Sequence, residues 1–316
     1  MQTLETGILP ARILNAARLY GSWILSSVTK TEFFSGKPVA ASIEPANFCN
    51  LHCPQCPTGM GIIQKTSKLL GLDDFVYIMD QLLPELMYVT LYFQGEPFLN
   101  KNLPDMVEYA SRNGVFSCIS TNGHFFDSDI ALRLKKAGIG KLIVSMDGAD
   151  EKSYSQYRKG GDFKKVLECL RTAATYGLPV ELQCLLLSST ENEMENVKTL
   201  AREIGIRRVR FKTAQLYTDN LRPRNEKFSR YKESASGGLE IKHELHNRCV
   251  RLWKSVVITA DGEVLPCCFD KNAKYSFGNI FKEDLNALLH NEKAKKFRQQ
   301  VLDGRSRIDI CRNCTE

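Results

Sequence analysis

The chain has 316 residues, with 43 Lys and Arg against 36 Asp and Glu and a formal net charge of +7. That length buries a large core, and a hydrophobic share of 43% is ordinary for a globular protein. No apolar run reaches the ~18 residues of a membrane span, and the basic residues lack the aromatic interleaving of a nucleic-acid binder, so no nucleic-acid partner is expected.

From the N-terminus, Ile8 to Ile24 predicts a helix, with Ile8, Ile13, Leu14, Leu19, Tyr20, Trp23 and Ile24 in a broad apolar face. Residues 1–40 form an N-terminal helical extension. Its face is expected to pack across the protein's own core or a partner. A membrane surface is the lesser alternative, because Arg12 and Arg18 are its only positive charges.

Residues 41–215 alternate strand and helix patterns. Strands are predicted at Val39–Glu44, Tyr88–Phe93, Phe116–Ser120, Lys141–Asp147, Val180–Leu187 and Arg208–Thr213, and helices at Asp73–Leu83, Leu103–Asn113, Ser128–Ala137, Phe163–Tyr176 and Glu191–Ile204. Gly114, Gly138, Gly177 and Gly205 fall just past four of the helices, where a left-handed cap residue is wanted. Such alternation implies an α/β fold with a parallel sheet whose C-terminal strand ends carry the chemistry. Residues 216–248 read as a connecting segment or lid, flexible at Ser229–Gly238. Residues 249–316 form a smaller unit: a hairpin from Ser255 to Pro266 over an Asp261-Gly262 turn, then a helix from Asp284 to Leu302.

Three of the eleven cysteines crowd one loop, Cys49-Asn50-Leu51-His52-Cys53-Pro54-Gln55-Cys56. Iron–sulfur clusters are held by cysteine thiolates, normally four, so three suggest a [4Fe–4S] cluster with one iron left open. A zinc site completed by His52 is the alternative, as are three buried thiols. Further motifs follow in order: Gln94-Gly95-Glu96-Pro97, Ser120-Thr121-Asn122-Gly123, Ser145-Met146-Asp147-Gly148 and Arg158, the first three at the ends of predicted strands. Together they resemble the radical S-adenosylmethionine (SAM) superfamily.

That resemblance implies a partial (β/α)6 barrel. Cys49, Cys53 and Cys56 would hold the cluster, and SAM would chelate the open iron. Gln94, Gly95, Glu96 and Pro97 would receive the SAM ammonium group, with Thr121 and Asn122 at the next strand end. Ser145 would contact the ribose and Arg158 the carboxylate. The aromatic residue that the family often places before the third cysteine is replaced by Gln55. Reductive cleavage of SAM would yield a 5′-deoxyadenosyl radical, with electrons from a flavodoxin- or ferredoxin-type donor. Oxygen sensitivity of the clusters makes the cytoplasm the expected location, and the first residues carry no apolar core of a secretory signal.

Cys249, Gly262 and Cys267 follow a C-x12-G-x4-C pattern, completed by Cys311 and Cys314. This resembles a shortened SPASM domain of the twitch type, whose four thiolates would hold a second, auxiliary [4Fe–4S] cluster. A structural zinc site has the same ligand set. Cys268 is an alternative ligand to Cys267, a hydrogen-atom donor, or a small buried hydrophobe. Cys118, Cys169 and Cys184 read as core. A run of cations from Arg202 to Lys232 fits either an anionic substrate or a solvated surface. His243 and His246 miss the spacing of the metalloprotease motif. The expected function is oxidation of a small polar or sugar-like molecule, with electron return through the auxiliary cluster. Modification of a ribosomally made peptide and radical epimerisation are the alternatives.

Overall fold

The computed structural model describes residues 8–63, 67–218, 220–234 and 238–315. Six parallel strands form its centre: β1 (Ala40–Ile43), β2 (Tyr88–Thr90), β3 (Phe116–Thr121), β4 (Lys141–Ser145), β5 (Val180–Leu186) and β6 (Val209–Thr213). They lie in chain order, and the sheet does not close. β6 is one edge, while β1 continues on its other side into a hairpin from the C-terminal region. That hairpin is β9 (Ser255–Ile258) and β10 (Glu263–Leu265), following a separate pair, β7 (Tyr231–Glu233) and β8 (Leu239–Ile241). β9 runs parallel to β1, Ala40 beside Ser255, and β11 (Gly278–Asn279) ends the nine-stranded sheet. The architecture is a largely parallel α/β sheet, the partial barrel expected.

Alternation along the strands gives the sheet two different faces. Val89, Ile119, Leu142, Val144 and Leu182 pack into the main apolar core. Their neighbours Thr90, Ser120 and Ser145 line cavities on the concave side. The helices cover the apolar face: α2 (Leu72–Leu82), α3 (Leu103–Arg112), α4 (Ser128–Ala137), α5 (Glu151–Tyr157), α6 (Phe163–Thr175) and α7 (Met194–Ile204). In α2, Phe75, Ile78, Met79 and Leu82 are buried at helical spacing, each side chain contributing about 1.5–3 kcal/mol by leaving water. Gly138 and Gly205 take the left-handed cap conformation that ends α4 and α7.

Three expectations change. The predicted helix from Asp284 to Leu302 is two helices, α9 (Leu285–His290) and α10 (Glu292–Gly304), after the short α8 (Val250–Lys254). Asn291 breaks it: extended at ψ 168°, its side chain accepts from the Ala294 amide and caps α10. Within the stretch read as flexible, Tyr231–Glu233 pairs with Leu239–Ile241, while residues 235–237 lie outside the described residues.

The largest change is in α1 (Ile8–Thr29), which docks mainly by polar residues, with Leu19 and Trp23 the large apolar side chains it lends to the core. Arg12 donates to the carbonyls of Pro84, Asn113 and Gly114 at 2.9–3.0 Å. Asn15 exchanges two hydrogen bonds with the Lys37 backbone, and Ser26 does so with that of Phe33. These carbonyls precede β1, β2 and β3, so the helix crosses the end of the barrel opposite the motifs.

Candidate functional site: two cysteine cavities and the space between them

The three-cysteine loop follows β1, and the chain then passes through Gly59. A Cβ there would lie 2.5 Å from the Cys53 amide nitrogen, so the loop closes this tightly only over glycine. Cys49, Cys53 and Cys56 line a cavity of about 190 Å³ with Gln94, Gly95, Glu96, Thr121, Asn122, Ser145 and Arg158. The strand ends thus bring the sequence-predicted residues to one place. Pro97 opens the short turn Pro97–Leu99 instead.

Glu96 organises this cavity. Its carboxylate accepts from Thr121 Oγ1 at 2.6 Å, the Asn122 amide at 2.8 Å and the Phe98 amide at 3.2 Å. Burial raises its pKa from 4.5 to about 7, although those donors favour the charged form. Gly95 admits no side chain, because a Cβ would lie 2.2 Å from the Ala46 carbonyl oxygen. Asn122 Nδ2 donates to Asn50 Oδ1 at 2.8 Å and reaches the Cys49 sulfur at 3.7 Å, tying β3 to the cysteine loop.

Arg158 stands beside Cys53 with a partner the sequence reading missed. Its Nε donates to Asp147 Oδ2 at 2.6 Å, and Asp147 Oδ1 accepts from the Leu185 amide at 2.5 Å. Burial opposes the guanidinium charge, but Asp147 holds its pKa well above the usual value. Burial also raises the Cys49 thiol to about 11 and shifts Cys53 upward, the latter against the pull of Arg158.

Gln55 has its own work. Its Oε1 accepts from the amides of Tyr217 and Thr218, and its Nε2 donates to the carbonyls of Thr218 and Asn220. It bolts the cysteine loop to the segment after β6. Farther along that segment, the Tyr231 hydroxyl accepts from the Leu216 amide at 3.0 Å and donates to Asn313, between Cys311 and Cys314. Leu216, Tyr217, Thr218, Asn220 and Tyr231 therefore bridge the two cysteine regions.

The second cavity is lined by Cys249, Cys267, Cys311 and Cys314 among Leu252, Phe269, Phe297, Val301 and Ile310. Its buried cation, Arg305, donates to the Cys314 sulfur at 3.1 Å and to the Arg248 carbonyl at 3.2 Å. Burial disfavours its charge, yet Cys249 and Cys314 raise its pKa. Burial pushes the Cys267 thiol well up and the Cys311 thiol to about 11. Among the described residues, no three His, Cys, Asp or Glu side chains are placed around a single metal ion. A cubane cluster asks for something different, since each thiolate binds its own iron.

Cys268 parts from Cys267. It lines a third cavity of about 380 Å³ on the concave face, with Ser42, Thr90, Tyr92, Lys254 and Lys271, and Arg251 Nη1 donates to its sulfur at 2.8 Å. This cavity shares Tyr92, Phe93 and Gln94 with the three-cysteine cavity. Lys271 donates to Gln215 Oε1 at 3.1 Å, and burial lowers its pKa. The cation run marked in the sequence is elsewhere: Arg202, Arg207, Arg208 and Arg210 are exposed. Cys118, Cys169 and Cys184 are buried, as read.

The family model described as Radical SAM superfamily matches residues 43–202, half of the chain. The chain belongs to the radical SAM superfamily. A second model, described as an iron–sulfur cluster-binding (SPASM) domain, matches residues 249–315. The two domains imply [4Fe–4S] clusters and SAM as cofactors, and the thiol sets of the two cavities fit such clusters by their chemistry.

Among curated radical SAM relatives, the chain is 25% identical over 255 residues to a PqqA peptide cyclase of Streptomyces rochei, covering 73% of this chain and 70% of that one. It is 26% identical over 284 residues to an S-adenosyl-L-methionine-dependent 2-deoxy-scyllo-inosamine dehydrogenase of Niallia circulans, covering 86% and 90%. Solved structures share the fold. BtrN in complex with AdoMet and 2-DOIA has a TM-score of 0.57 at 22% identity, covering 90% of this chain and 94% of that one. Streptococcus suis SuiB bound to its precursor peptide SuiA has 0.68 at 13%, covering 96% and 75%.

Proposed function

We propose that this radical SAM enzyme dehydrogenates a small polar molecule seated in the 380 Å³ cavity. The observation that carries the reading is position. The cavity adjoins the three-cysteine cavity through Tyr92, Phe93 and Gln94, and it meets the second cysteine set at Cys268, next to Cys267. A substrate there would lie between the two cysteine regions.

When bound and reduced, the cofactors supply a 5′-deoxyadenosyl radical for hydrogen abstraction and an auxiliary cluster as electron acceptor. The protein's residues bind and orient. Glu96, ionised and fixed by Thr121 and Asn122, receives the SAM ammonium group. Arg158, held by Asp147, faces the SAM carboxylate, and Ser145 takes the ribose. Cys49, Cys53 and Cys56 hold one cluster, and Cys249, Cys267, Cys311 and Cys314 the other. Arg251, Lys254 and Lys271 give the substrate cavity positive charge, which suits a substrate bearing carboxylate, phosphate or several hydroxyls. Electrons arrive from a flavodoxin- or ferredoxin-type donor.

The cavity volume is in the range of small-molecule sites, and the dehydrogenase relative is matched over most of both chains. The likeness to a peptide cyclase favours a second reading, modification of a ribosomally made peptide. The deciding experiment supplies panels of anionic polyols and of short peptides to reconstituted enzyme. Polyols should accelerate 5′-deoxyadenosine formation and yield a product lacking one pair of hydrogens. Acceleration by peptides alone, or a product of unchanged mass, contradicts the reading.

A further inference from the structure

Helix α1 is inverted. Four of its polar residues, Arg12, Asn15, Ser22 and Ser26, face the protein, with Arg12 only 6% and Ser26 0% exposed. Apart from Leu19 and Trp23, which pack on the core, its large apolar residues face outward: Ile13 is 62%, Ile24 54% and Val28 76% exposed, in a ridge with Leu9, Leu14 and Leu25. Exposed contiguous apolar surface of this kind marks an interaction site. Because the polar side is fixed by hydrogen bonds to the backbone around Lys37, Pro84 and Gly114, the helix has no way to roll its ridge inward without unpairing them.

We propose that α1 is a membrane-surface anchor that seats its ridge in an anionic bilayer. Charge is the first argument. Between Glu5 and Glu32 the chain has no acidic residue, while Arg18 and Lys30 are exposed. Lys30 reaches the Asn247 carbonyl, and Trp23 shares a cavity wall with His246 and Arg248, so more basic groups flank the end of the ridge. Glu32, the first acid after the helix, is paired with Arg298. Apolar side chains bordered by basic ones suit the headgroup region of anionic lipid.

Size is the second argument. A helix of 22 residues is about 33 Å long and presents a strip about 10 Å wide, roughly 330 Å². A stable dimer needs about 800 Å² from each partner, so a second copy docked on this ridge alone falls well short. A bilayer sets no such threshold of shape or area. Among the described residues no helix is long and apolar enough to cross a membrane, so α1 lies on the surface. The proposal is independent of the substrate reading, because no residue of the ridge lines the substrate cavity or either cysteine cavity.

The test is cosedimentation of the cluster-loaded full chain with vesicles of mixed phosphatidylcholine and phosphatidylglycerol, against pure phosphatidylcholine. Wild type should bind the mixed vesicles at least about tenfold more tightly, and Ile13→Asp with Ile24→Asp should lose at least about tenfold of that affinity. Both positions are exposed, so iron content and SAM cleavage should match wild type. The proposal is overturned if wild type stays in the supernatant with mixed vesicles, or if the double variant binds them equally. A lipid-free dimer that the double variant abolishes, with no vesicle binding, would assign the ridge to a second copy instead.

Discussion

The two cysteine cavities are built on opposite plans. The first takes its three thiols from one loop of eight residues and completes its wall with polar groups from three strand ends and the end of α5. The second takes four thiols from three distant segments and surrounds them with apolar side chains and two arginines, Arg251 and Arg305. A wall with room and polar donors suits a cluster whose open position receives a small molecule. Full thiolate ligation in an apolar setting suits electron transfer without ligand exchange. The contrast predicts a division of labour, and it can be broken at either end.

The largest effects come from removing ligands. Replacing Cys49, Cys53 and Cys56 with Ala should abolish SAM cleavage altogether. Replacing Cys311 and Cys314 should remove about four iron atoms and abolish turnover to oxidised product, yet leave SAM cleavage. The checks are iron content and 5′-deoxyadenosine by chromatography. Zinc in the second site of protein purified without reconstitution would make that site structural and erase the contrast.

A smaller effect sharpens the polar side of the comparison. Burial holds Glu96 at about 7, and the SAM ammonium needs the carboxylate, so binding must expel a proton below that pH. SAM affinity should fall by up to about tenfold per pH unit as pH drops below about 7. Glu96→Gln should bind weakly with a flat profile, read by calorimetry. Without SAM the sign reverses for stability. A carboxyl raised by burial favours the fold below its unfolded value and loses that contribution as pH rises through about 7.

The smallest effect concerns the bridge between the regions. Gln55→Leu strands the Tyr217 and Thr218 amides, and water reaches these exposed residues. A loss of about 1–2 kcal/mol is expected, measured by denaturant unfolding, with SAM cleavage retained.

Much of this was legible because it is local. The six strands, the Gly138 and Gly205 caps and the Asp261-Gly262 hairpin each rest on neighbouring residues. What stayed hidden depends on partners far along the chain. Arg305, Lys254 and Lys271 are of types common on any surface, and only folding brings them to cavities, as it brings Asp147 to Arg158. Gln55 read as a missing aromatic because its partners lie at 217–220. Helical periodicity identified the apolar face of α1 but carries no information on which face docks. At Asn291 an interior polar residue and a cap look alike in sequence. Helix α5, Glu151–Tyr157, was too short for its period to register.

The most direct test of the division between the cavities is electron paramagnetic resonance of the reduced protein, with and without SAM, in wild type and in the Cys311→Ala, Cys314→Ala variant. Wild type should show two overlapping cluster signals, of which SAM changes one, and the variant should keep only the signal that SAM changes. A SAM response in both signals, or its loss in the variant, would contradict the division.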